Sequence, residues 1–263
     1  MIRFLRRFAR VAIWSGALLI SALPPGLDAF AAPTAAEEAA DADVVEKAFA
    51  AASEAEFDAL VPALRTALAR APSVYPRIER RGDTVIVRGN SGQEGLFLAG
   101  LIAGEKKPVQ VNVEFNIYGL AAFVLGAAEV GRKRPIEALA FLDKGLALQP
   151  DNLMLVTEKG MALTLLQRHA EALVLFDAAI ADNSPQYDDS GLARLLRARG
   201  FSLIELDRLD EAEAAYRSSL KLEPDHGGAL AELKYIVARR SGGDSKGIGV
   251  YTTEEARKSR AGQ

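Results

Sequence analysis

Arg194 and Arg197 lie three residues apart in a stretch of helical periodicity, so both guanidinium groups share one helix face and could pin an acidic group of a ligand. Together with Arg199 they also read as a solvated face, the usual fate of charge on a helix surface. Met154 and Met161 offer either an adaptable apolar surface or core filler. The other chemistry-bearing residues do not assemble into a site. His169 and His226 are the two histidines, and neither has a His or carboxylate at metal-ligand spacing. Glu37-Glu38 and Glu254-Glu255 suit the positive ends of helix dipoles, and nothing encloses them as an acid–base pair. Arg81-Gly82-Asp83 is ordinary hairpin-turn chemistry. Gly89-Asn90-Ser91-Gly92 lacks the lysine of a phosphate-binding loop, and no Gly-x-Ser-x-Gly elbow occurs. The inventory predicts no catalytic, cofactor-binding or metal site, and a protein that is not an enzyme.

There is no cysteine among the 263 residues. That excludes disulfides, thiolate metal sites, cysteine nucleophiles and a lipid anchor on cysteine. The N-terminus carries Arg3, Arg6, Arg7 and Arg10, then an uncharged apolar run from Val11 to Leu23, a break at Pro24-Pro25-Gly26, and small residues at Ala29 and Ala31. This is the layout of a secretory signal peptide over 1–31, and the run is short for the roughly 20 residues a membrane span needs. Arg6-Arg7-Phe8 faintly resembles a twin-arginine signal. The expected address is a bacterial periplasm or the exterior; left uncleaved, the segment would anchor the chain in the inner membrane and give its one membrane contact. Residues 32–263 hold 28 basic and 34 acidic side chains, a net charge of −6. Mild acidity argues against nucleic acid and leaves no polybasic patch for anionic lipid.

Three segments repeat one pattern: 126–150, 160–184 and 200–224. Each opens on Gly (126, 160, 200), has Ala twelve residues later (138, 172, 212), and a large residue four beyond that (Leu142, Phe176, Tyr216). Pro150 and Pro224 close two copies; the middle one has Ser184 before Pro185. The Gly spacing is 34 and then 40, the six extra residues falling around 186–191. Such self-similarity predicts a stacked array of antiparallel helix pairs at about 117–131 and 135–148, 152–166 and 169–182, 190–206 and 209–222. The Gly marks the closest crossing of each pair, and the large residue fills the space there. A closing helix at about 226–239 follows, with Leu230, Leu233, Ile236 and Val237 facing the last repeat and Glu232, Lys234, Arg239 and Arg240 facing water. Residues 241–263 read as a flexible tail.

Upstream, Thr34-x-x-Glu37 and Ser53-x-x-Glu56 are capping boxes that predict helices near 35–51 and 54–70. In the second, Phe57, Leu60, Val61, Leu64 and Leu68 form one apolar face. A hairpin is expected over 77–88, a short helix over 93–104 and a strand over 109–115.

The repeats, with Leu165-Leu166-Gln167-Arg168-His169-Ala170-Glu171-Ala172-Leu173 and its counterpart 206–214 as inter-helix turns, resemble the tetratricopeptide repeat (TPR) family. The resemblance covers about 117–240; Ala122, Val156 and Leu196 stand where the family prefers Trp or Leu. It implies a mainly α fold, a TPR-type α-solenoid of three helix pairs plus a capping helix (116–240), preceded by a small helical and β-hairpin segment (32–115). It also implies a concave groove lined by the first helices: Leu120, Phe123, Ala127 and Val130; Met154, Thr157, Met161 and Thr164; Arg194, Arg197, Phe201 and Ile204. The Asn residues with which some members clamp a C-terminal carboxylate are missing.

The expected function is a non-enzymatic adaptor or scaffold of the cell envelope that binds a peptide or partner protein in that groove. The alternative makes 32–115 a ligand-binding or catalytic domain and the repeats a dimerisation arm. Exposed solenoid ends leave room for a weak homodimer.

Overall fold

Side-chain caps and close helix crossings set most of the element boundaries. The structure, a computed structural model, describes residues 33–90, 92–103, 110–182 and 188–241. The expected signal segment over 1–31, Lys106-Lys107-Pro108, Ser184 to Tyr187 and the tail beyond 241 lie outside them. In order, the elements are α1 (Ala35–Ala50), α2 (Glu54–Arg70), β1 (Ile78–Arg81), β2 (Thr84–Gly89), α3 (Gly92–Ala103), β3 (Gln110–Phe115), α4 (Ile117–Gly131), α5 (Pro135–Leu148), α6 (Leu153–Leu165), α7 (His169–Asp182), α8 (Asp189–Glu205), α9 (Leu209–Leu222) and α10 (Gly227–Arg240). The fold is mainly α, an α-solenoid of the stacked helix pairs α4/α5, α6/α7 and α8/α9 with the closing α10, as the resemblance implies.

The crossing expected at each glycine is present. A Cβ on Gly126 would stand 2.5 Å from Leu142 Cδ2, and one on Gly200 2.7 Å from Tyr216 Cε2; one on Gly160 would overlap the Phe176 ring. Ala138, Ala172 and Ala212 are fully buried on the opposing helices. The turn inside each pair repeats as well. Lys133, Gln167 and Asp207 take left-handed φ of 58°, 60° and 59°. The next N–H (Arg134, Arg168, Arg208) then reaches back to the carbonyl of Glu129, Leu163 or Leu203 at 2.9 Å, which closes the first helix in a Schellman-type turn. Relative to its glycine, α8 starts four residues earlier than α6, so most of the six extra residues extend that helix.

The N-terminal pair is part of the stack. Val45 and Ala48 of α1 and Phe57, Leu64 and Leu68 of α2 share one hydrophobic core with Leu120, Phe123, Leu125, Leu142 and Leu155. Arg132, at the end of α4, ties α2 down through Glu54 (3.2 Å), Asp58 and its own Glu129 (3.3 Å). At α1 the Thr34 hydroxyl accepts from Glu37 N at 3.2 Å while the Glu37 carboxylate accepts from Thr34 N at 2.8 Å. At α2, Ser53 accepts from Glu56 N, but Glu56 reaches one residue further back, to Ala52 N at 2.6 Å.

Between α2 and α4, β1 and β2 form the expected hairpin around Gly82, whose φ is +61°. After the α3 crossover, β3 pairs in parallel with β2, Val85 beside Val111 and Val87 beside Val113. Val85 and Val87 pack on Leu98 and Ile102 of α3. Arg88 is buried, its guanidinium 4.1 Å over Tyr75, donating to Pro76 O at 3.0 Å and paired with Glu79 at 2.8 Å. Tyr75 in turn meets Tyr118 of α4 edge-on at 4.8 Å.

A polar clasp joins this element to the repeats. Asn116 and Asn152 cap α4 and α6, and both donate from Nδ2 to Asn90 Oδ1, at 3.3 and 2.9 Å. Arg77 pairs with Glu94 and, at 3.2 Å, with Asp151.

The closing helix departs from the sequence expectation. Ala229 and Ile236 are the buried positions, whereas Leu230 and Val237 are exposed; Glu232 and Arg239 are half-buried. The cause is register. Counted from the glycines, Ala229 and Ile236 match Ala121 and Ala128, Leu155 and Ala162, Leu195 and Ser202, all buried against the preceding helices.

Candidate binding face on the first helices

The residues assigned to a groove divide into two groups. In α4, Leu120, Phe123 and Ala127 are buried and Val130 half-buried. Phe123 stacks on Phe49 of α1 with centroids 6.4 Å apart, so that stretch belongs to the core shared with the N-terminal pair. In α6 and α8 the face opens: Met154, Met161, Arg194, Arg197 and Phe201 are half-buried, and Leu165 is exposed. Thr157, Thr164 and Ile204 form its floor, buried. Thr157 Oγ1 donates to Leu153 O at 2.7 Å and Thr164 Oγ1 to Met161 O at 2.8 Å, which satisfies both hydroxyls within α6.

The two arginines are engaged inside the chain. Arg194 pairs across to Glu158 of α6, whose side chain is almost wholly buried. Arg197 pairs with Glu223, at the end of α9, at 2.6 Å, and Ser190 donates to the same carboxylate at 3.0 Å. Burial alone would raise the Glu223 pKa; the hydrogen bonds from Arg197 and Ser190 outweigh it and hold the carboxyl below its usual range. Arg194 therefore sits against a buried carboxylate, whereas Arg197 is held by a partly exposed one. Arg199 points elsewhere, to Asp177 of α7 at 2.5 Å. Lys159 makes the equivalent pair one repeat earlier, with Asp143 at 2.7 Å.

Glu158 and Glu223 do not stand out in the sequence as site residues, and Glu232, expected to face water, is half-buried. Glu158 and Glu232 did carry a signal: each lies two residues before the landmark position held by Gly160 or, in α10, by Lys234. Burial pushes the Glu232 carboxyl above its usual pKa, and the charge of Glu205 adds to the rise. His169 is buried with its ring 6.2 Å from Phe201, and His226 caps α10 by accepting from Ala229 N at 3.2 Å. Among the described residues no group of three or more His, Asp or Glu side chains is placed to hold a metal ion, and no helix is long and apolar enough to cross a membrane.

No family model matches the chain. Over 128 residues, 48% of its length, it is 28% identical to the BBSome complex member BBS4 of Xenopus tropicalis, and the match spans 23% of that protein. Among solved structures it is similar to the first TPR of Spaghetti (RPAP3) bound to the HSP90 peptide SRMEEVD, with 26% identity, 47% of this chain and 93% of the other covered, and a TM-score of 0.41. It is also similar to the first TPR domain of human RPAP3, with 25% identity, 49% and 97% coverage, and a TM-score of 0.43.

Proposed function

We propose that this protein is a non-enzymatic scaffold that binds a peptide or a segment of a partner protein along α6 and α8. The observation that carries the reading is the half-open strip of Met154, Met161, Arg197 and Phe201 on two neighbouring helices held in one register. Unbranched thioethers adapt to varied apolar side chains. Arg197, half-buried and paired with the partly exposed Glu223, supplies one cation for an acidic group. The buried first helix α4 limits the strip to its C-terminal two-thirds.

The test is cross-linked capture with the full chain beside a Met161→Glu/Arg197→Glu variant, each first checked by thermal melt. Arg194 is left intact because its loss would strand Glu158. A dominant partner lost in the variant supports the reading; a partner set unchanged by it overturns this face as the binding site. The proposed setting is the cell envelope, periplasmic or secreted, supported by the basic head, apolar run and small residues of 1–31. The N-terminal mass of the purified protein distinguishes cleavage from an uncleaved anchor.

A further inference from the structure

Among the described residues, the closing helix α10 is a first helix without its second. In each repeat the residue four before the glycine, the glycine itself and the residue three after it lie on the side of the helix that follows: Ala122, Gly126 and Glu129; Val156, Gly160 and Leu163; Leu196, Gly200 and Leu203, all buried except Leu196, which is half-buried. The same positions in α10 are Leu230, Lys234 and Val237. Leu230 is 43% and Val237 58% exposed, and Lys234 is exposed with no ion pair among the described residues. The matching of buried Ala229 and Ile236 to their counterparts shows that this is the repeat's register and no accident of one helix.

We infer that the open face of α10 docks a single amphipathic helix of a partner protein, laid down as a second helix would be. Its chemistry follows from Lys234. Where the other repeats have glycine, a large residue (Leu142, Phe176 or Tyr216) presses on the backbone. Lys234 fills that space, so the incoming helix carries a small acidic residue there, between apolar residues that meet Leu230, Leu233 and Val237. Two other occupants fit less well. The chain's next segment carries Lys246 at the sequence position of Ala138, Ala172 and Ala212, followed by Gly247 and Gly249, residues of low helix propensity. A second copy pairing α10 with itself about a two-fold axis brings two Lys234 ammonium groups together at its centre. The site is separate from the strip on α6 and α8.

The probe is a synthetic peptide copying residues 208–223 with Tyr216→Asp, titrated into the full chain while the methyl resonances of Leu230, Leu233 and Val237 are followed by NMR. Shifts at these methyls are expected, abolished by Val237→Asp and weakened roughly fivefold by Lys234→Glu, the scale of one exposed ion pair. The Met161→Glu/Arg197→Glu variant keeps these shifts, which separates the two surfaces. Absence of shifts at millimolar peptide, or binding indifferent to Lys234→Glu, overturns the inference. So does self-association in ultracentrifugation that Val237→Asp removes, which makes a second copy the occupant. A change at the Val237 methyls on truncation after Ser241 overturns it equally, making the chain's own tail the occupant.

Discussion

The Phe176 ring of α7 lies directly on the backbone of Gly160 in α6, with no room between them for a methyl group. The contact is the middle member of three, and it fixes how closely each helix pair packs. Gly160→Ala should therefore destabilise the fold by about 2 kcal/mol, in the range of core overpacking, read as a lower urea midpoint at unchanged slope. Adding Phe176→Leu should recover part of the loss; no recovery would mean that the strain is not borne by this pair.

Arg194→Ala leaves the Glu158 carboxylate buried without its partner. Breaking a fully buried pair costs about 3–5 kcal/mol, and the partial exposure of Arg194 lowers the expected loss to about 2 kcal/mol. The double variant Glu158→Gln/Arg194→Gln should be less destabilised than Arg194→Ala alone. A double-mutant cycle in denaturant gives the coupling directly.

Lys133 holds a left-handed backbone at the α4–α5 turn and makes no side-chain hydrogen bond among those described. Lys133→Gly should raise stability by about 0.5–1 kcal/mol, since relief of the left-handed penalty exceeds the chain entropy glycine adds. Lys133→Val should lower it. Thermal melts of both decide the point.

The Glu232 carboxyl titrates above its usual value because burial disfavours its charge and Glu205 repels it. The folded chain thus holds that proton more tightly than the unfolded chain. Its contribution to stability is complete below the unfolded pKa and is lost as pH rises through the folded one. Glu232→Gln should accordingly raise the melting temperature at pH 7 by more than at pH 4. An equal rise at both pH values would refute the assignment.

Residues 32–115 expressed alone should not fold cooperatively. Phe57, Leu64 and Leu68 are buried against Leu120, Leu125 and Leu142, and Asn90 finds its partners on Asn116 and Asn152. Circular dichroism with a urea titration distinguishes a sigmoidal transition from a gradual one, and a sigmoidal one would restore the two-domain alternative.

Sequence reading located α4 to α9 within about a residue because their landmarks are local: a glycine, an alanine twelve on and a large residue sixteen on describe one helix pair packing on itself. Caps did the same for α1 and α2. Neighbours across helices were harder to see. The apolar face of α2 says that it is buried, while its burial on Leu125 depends on a fold brought together over some sixty residues of chain. The pairing of Arg194 with Glu158 spans 36 residues. In α10 the apolar stripe suggested contact with the last repeat, yet the position of Lys234 in the repeat register shows which side that stripe takes.

Under tension the two ends of this array should yield differently. The N-terminal end is fastened by a large common core, the Arg132 ties and the Asn90 clasp; α10 is held by Ile236, Ala229 and the pairs that Arg239 and Arg240 make with Asp207, Asp210 and Glu213. Because each layer leans only on its neighbours, a pulling force applied at the two termini peels the chain from its C-terminal layer inward, in steps of extension set by the repeat length. A helix laid on α10 would then act as a terminal brace, raising the force at which the first step occurs.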